Sequence, residues 1–109
     1  MLEVSFEESE FALIVTPLAA RLDAAIALEL REALVGPARE RGALVVDLVH
    51  VAAIDASGLA ALVSVMKAMR PGGELWLARV TPPVRAVLAR TGLDQVLRPL
   101  EEAGHPLLV

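Results

Sequence analysis

A-L-V-V-D-L-V-H-V-A-A-I-D-A-S-G-L-A-A-L, Ala43 to Leu62, holds a strand, a loop and the start of a helix. Ala43 to Leu48 is a nearly continuous apolar run, interrupted by Asp47 and β-branched in its middle, which predicts a buried parallel strand. Beyond Ser57, the residues Leu59, Leu62, Val63, Met66 and Met69 recur at helical spacing. Pro71, Gly72 and Gly73 stop that helix. A buried strand feeding a helix is half of a parallel β–α unit, so this stretch sets the fold class as α/β.

Working outward, the same alternation continues on both sides. Val4 to Glu8 and Phe11 to Thr16 read as two strands joined by a polar turn, the second apolar on both faces and therefore central. Pro17 to Arg21 is a connection, and Asp23 is the expected N-cap of the helix that follows. Ile26, Leu30, Ala33 and Leu34 share one face of it, with Glu29 and Glu32 off that face. Gly36 and Pro37 predict that this helix ends or restarts there. Glu74 to Arg79 is a further strand, and Thr81-Pro82-Pro83 announces a third helix with Val84, Val87 and Leu88 inward and Gly92 as its stop. Val96 to Leu100 is expected to form a last short strand. The order predicts a mixed sheet of about four to five strands flanked by helices, in one domain over residues 1–109.

Composition narrows the function. Hydrophobic residues make up 56% of the 109 residues, enough for a packed core built from Ala, Leu and Val. The aromatics are Phe6, Phe11 and Trp76, too few for base-stacking platforms. Nine arginines and one lysine are scattered under a net charge of -4, which argues against a nucleic-acid partner. Cysteine is absent, so no disulfide, thiolate metal site or thiol nucleophile is available. The two histidines, His50 and His105, are too few for a zinc site. No apolar run reaches the ~20 residues of a membrane span, and the acidic start lacks the pattern of a signal peptide. A soluble cytoplasmic domain is expected.

Ser57 is the candidate functional residue. It stands between an apolar strand and an apolar-faced helix, with Asp55 two residues before and Gly58 directly after. One reading makes it a phosphoacceptor at a helix N-terminus, where free N–H groups and the helix dipole favour an anion. The other makes it an ordinary N-cap. Ala60, Ala61, Ser64 and Lys67 follow it along a small, nearly uncharged face on which a partner could pack closely. Asp55 either orients the hydroxyl or caps the turn, and Asp23 lies at the equivalent connection of the preceding unit. Asp47 is expected to hydrogen-bond loop amides, since a lone buried carboxylate is costly.

Catalytic machinery is not legible. The G-x-S-x-G elbow is missing, because Asp55 stands where glycine is required. Gly72 and Gly73 end a helix instead of opening one, so no phosphate loop is present. A receiver-type phosphoaspartate site is discounted, since the early strand offers glutamates and Lys67 lies mid-helix. A binding protein is expected rather than an enzyme, with no metal and no cofactor of its own.

These residues also resemble a known family. Arg21 to Leu34 looks like the first-helix signature of STAS domains, Val45 to Leu62 like their central strand, loop and switch helix, and Val84 to Leu97 like their closing segment. The resemblance is closest to free-standing bacterial anti-sigma factor antagonists. It implies a partner switch in transcription regulation. The unphosphorylated protein binds an anti-sigma factor that is a serine kinase, and a sigma factor is freed. The kinase phosphorylates the serine aligned with Ser57, and a metal-dependent serine phosphatase resets the switch. ATP and magnesium belong to the kinase. Asp23 and Asp55 match acidic positions flanking the acceptor. Ala56, Gly58, Ala60, Ala61, Ser64 and Lys67 complete the expected switch loop and partner face. Ala56 replaces a frequent serine, and Ala20 a frequent glycine. The alternative within the family is a STAS-like ligand-binding or scaffold subunit of a transport or stress-signalling assembly, without phosphorylation.

Overall fold

The computed structural model describes residues 1–100. The expected alternation is present with two additions. The elements are β1 (Val4–Glu8), β2 (Leu13–Pro17), β3 (Arg21–Leu22), α1 (Ala27–Glu40), β4 (Ala43–Asp47), β5 (Ala53–Ile54), α2 (Ala56–Lys67), β6 (Glu74–Ala78), α3 (Pro82–Thr91), a 3-10 turn at Leu93–Gln95 and β7 (Arg98–Pro99). Five strands form a mixed sheet in the order β1-β2-β4-β6-β7. The β1–β2 hairpin is antiparallel and every other neighbour is parallel. The two-residue strands β3 and β5 pair parallel with each other as a separate ribbon.

Hydrophobic burial explains the layering. Leu44, Val45 and Val46 of β4 are wholly buried at the sheet centre, as a run apolar on both faces requires. Leu13, Val15, Leu44, Val46, Leu75 and Leu77 turn to one face, where they pack with buried residues of all three helices. The helices thus cover one face, and α1 and α2 lie against each other there. Each fully buried leucine contributes about 2 kcal/mol. On the opposite face Ala12, Val45, Ala78 and Leu100 form a smaller cluster.

Several sequence expectations change. Asp23 does not cap α1, which starts at Ala27 after a turn at residues 24–26. Neither Gly36 nor Pro37 breaks α1, which runs on to Glu40 because Leu34 and Ala38, on either side of them, are both anchored in the core. β2 begins at Leu13 because Ser9 and Ala12 close the hairpin turn, leaving Phe11 exposed. The last strand shrinks to Arg98–Pro99, since Gly92 in the left-handed region (φ 73°) leads into the 3-10 turn. On α2, Ala61 and Val65 join Leu59 and Leu62 in the core, while Val63, Met66 and Met69 are half-buried. None of the described helices is long and apolar enough to cross a membrane. His105 and the rest of residues 101–109 lie outside the described residues.

Candidate functional site

The β3–β5 ribbon brings the chain's two strand-to-helix connections together. Ala20 C=O accepts from Ala52 N–H (2.7 Å) and Ala53 N–H (3.1 Å), and Leu22 C=O accepts from Asp55 N–H (3.2 Å). Asp23, Asp55 and Arg21 consequently line one shallow cleft with Ala53 and Ile54. Sequence reasoning had treated residues 17–21 as a plain connection. A two-residue strand carries no periodicity, so nothing in the pattern signalled Arg21 or the Ala20 and Leu22 carbonyls.

Asp55, not Ser57, is the N-cap of α2. Its backbone is extended (φ -113°, ψ -174°), its Oδ1 accepts from Gly58 N–H at 3.0 Å, and its C=O accepts from Leu59 N–H at 3.0 Å. The reading of Ser57 as a capping serine is therefore corrected. Ser57 is the second residue of α2, half-buried, and its hydroxyl takes part in none of the hydrogen bonds among the described residues. Ala56 and Ser57 carry the N–H groups of the first turn that Asp55 does not satisfy. An anion on the Ser57 oxygen would lie beside them at the positive end of the helix dipole.

Gly58 holds this geometry. A Cβ built there would lie 2.1 Å from Leu22 C=O and 2.9 Å from Ile54 Cγ1. Only glycine lets α2 start this close to β3. Gly58 is buried, so it shapes the site and offers no surface to a partner.

The expected partner face divides. Ala56, Ala60 and Lys67 are exposed and Ser64 is half-buried, so these offer surface to a partner. Ala61 does not, because it is 5% exposed and packs in the core. Ala56, Ala60, Ser64 and Lys67 instead line a groove with Leu59 and Val63, together with Thr91 at the end of α3 and Leu93 just after it; Ser57 does not line it. Lys67 lies ten residues from Ser57, about 15 Å along the helix. Asp23 spends its Oδ1 on Ala25 N–H (3.0 Å), while its C=O accepts from Ile26 and Ala27 N–H.

Asp47 is placed as expected at the end of β4, accepting from Val49 N–H at 3.1 Å. It also pairs with Arg79, whose Nε lies 3.1 Å from both carboxylate oxygens and whose Nη2 donates to Oδ2. The hydrogen bonds to Asp47 raise the Arg79 pKa, with the carboxylate's charge helping and partial burial opposing. Arg79 has a left-handed backbone (φ 48°), so the pair fixes an unusual turn between β6 and α3. Thr81 Oγ1 then donates to Val51 C=O at 2.6 Å, tying that turn to the loop before Ser57. Among the described residues no group of three or more His, Asp and Glu side chains is placed to hold a metal ion.

A family model for the STAS domain matches residues 4–104. The chain belongs to the STAS domain family. A sequence search of curated proteins returns no match. Among solved structures, an anti-sigma factor antagonist from Mycobacterium paratuberculosis aligns over 94% of this STAS chain and 87% of its own, at 20% identity and a TM-score of 0.82. The anti-sigma factor antagonist SpoIIAA in its unphosphorylated form aligns over 92% and 90%, at 17% identity and 0.73. The phosphorylated form of the Bacillus SpoIIAA aligns over 92% and 93%, at 17% and 0.64. A sulfate transporter family protein from Wolinella succinogenes shares the fold over 82% of this chain and 73% of its own, at 22% identity and 0.68. The STAS fold is thus shared with antagonists and with a transporter family alike.

Proposed function

We propose that this STAS domain is an anti-sigma factor antagonist whose binding is controlled by phosphorylation of Ser57. The observation that carries the reading is the position of that hydroxyl. It is half-buried at the second residue of α2, uncommitted to any hydrogen bond among the described residues, and next in sequence to Ala56, which lines the small-residue groove. The partner is an anti-sigma factor with serine kinase activity, which docks along Ala56, Ala60, Ser64 and Lys67. A phosphoryl group adds about -1.5 to -2 charges next to Asp55 and Asp23, and a docked partner would have to desolvate it. Binding then fails, and a serine phosphatase restores it. The protein acts as a binding module in the cytoplasm and performs no chemistry itself. Solved structures of a fold relative in unphosphorylated and phosphorylated forms agree with this reading.

The test is incubation with the cognate kinase and ATP, followed by mapping of the labelled site. Ser57 is expected to carry the phosphate, and Ser57→Ala to stay unlabelled. Ser57→Ala should bind the partner as the unmodified protein does, whereas Ser57→Asp should bind at least about tenfold more weakly, equivalent to about 1.4 kcal/mol. Equal affinity of the two variants would refute the switch. The transporter relative favours a second reading, a scaffold or ligand-binding subunit. A small molecule copurifying with the protein and absence of labelling would support that instead.

A further inference from the structure

We propose that the free edge of β1 is a strand-addition site for an extended protein segment with alternating basic and apolar side chains. Among the described residues, β1 lies at the end of the sheet and pairs with β2 alone. The hairpin register pairs Val4 with Pro17 and Glu8 with Leu13. Leu18 N–H donates to Glu3 C=O and Ser9 N–H to Ala12 C=O, so the odd-numbered residues of β1 turn their polar backbone groups toward β2. The N–H and C=O groups of Val4, Phe6 and Glu8 consequently point away from the sheet, and no described strand pairs with them. The five residues of this edge contain no proline or lysine and pair with β2 without a bulge, so its glutamates are what guards it against pairing with other chains.

Charge selects the occupant. Residues 1–10 contain Glu3, Glu7, Glu8 and Glu10 and no lysine or arginine. These four side chains equal the whole formal net charge of -4, leaving ten acidic and ten basic side chains in the rest of the chain. Arg41 offsets Glu8, with Nη1 donating to Oε2 at 2.9 Å. Glu3 and Glu7 project on the opposite side of the strand from Phe6, which is 50% exposed. An incoming strand that places basic residues beside Glu3 and Glu7 and an apolar one beside Phe6 satisfies both faces. A second copy of the same edge would set glutamate against glutamate, which the like-charge penalty disfavours. The site lies on a different element from Ser57 and does not depend on the switch.

The experiment uses the full chain and a synthetic peptide of alternating lysine and valine, read by amide hydrogen exchange. Exchange at Val4, Phe6 and Glu8 is expected to slow by at least about tenfold, with the effect lost at high salt. The E3K/E7K variant should reverse the preference, accepting a glutamate–valine peptide and refusing the lysine–valine one. Protection confined to those alternating amides marks strand pairing, which loose charge attraction does not produce. Unchanged exchange in all three amides would overturn the proposal. Protection of the same amides without peptide, rising with protein concentration, would also overturn it in favour of a second copy.

Discussion

Gly36 in α1 and Gly58 in α2 are both helical glycines, and their surroundings are opposite. Apart from its chain neighbours and its own helix backbone, a Cβ at Gly36 meets nothing within 4 Å, whereas one at Gly58 runs into the Leu22 carbonyl at 2.1 Å. The first glycine sits on the exposed side of a helix whose neighbouring residues Leu34 and Ala38 are buried. The second is the condition for bringing β3 under the start of α2, and with it Asp23 beside Asp55. Residue type alone does not separate a glycine that can be replaced from one on which the site rests. What lies across from it does.

That contrast sets the order of predictions. Gly58→Ala should have the largest effect, a loss of about 3 kcal/mol, because the carbonyl it strikes is backbone and cannot swing aside. Chemical denaturation would measure it, and the same variant should bind the partner less well even where it remains folded. Asp55→Ala should cost about 1 kcal/mol, since it removes the acceptor for Gly58 N–H. Asp23→Ala should cost about half of that, because its exposed bond to Ala25 closes a turn ahead of α1 and caps no helix. Equal costs for the two aspartates would erase the distinction drawn between the two helix entries. Gly36→Ala should have the smallest effect, within about 0.5 kcal/mol of zero with partner binding unchanged, because the gain in helix propensity is offset by the Pro37 ring, which disfavours a Cβ on the helical residue before it. A loss as large as that of Gly58→Ala would show that α1 needs its glycine for a reason outside local helix energetics.

Much of the site was legible in the sequence, and the misreadings share a cause. Ser57, Asp55 and Gly58 stood out because a polar residue and a glycine interrupt two apolar periodic segments. The cap of α2 stayed open between Asp55 and Ser57 because serine and aspartate are equally good caps, and the extended backbone at Asp55 decides between them. Ala61 was placed on the outer face by its spacing from Ser57, yet it turns inward with Val65 because α1 packs against that side of α2. The Asp47–Arg79 pair joins residues 32 positions apart, a separation across which local pattern carries no information.

The sequence by itself determined the α/β alternation, a mixed sheet of about four to five strands and the serine at the head of the second helix. Hydrophobic periodicity and turn chemistry act over a few residues and can be read in place. Tertiary structure alone decided that β3 pairs with β5, that Leu22 C=O presses on Gly58, and that the two aspartates share a cleft. Those contacts depend on how far apart two segments lie in space, and that distance follows from packing the whole core at once.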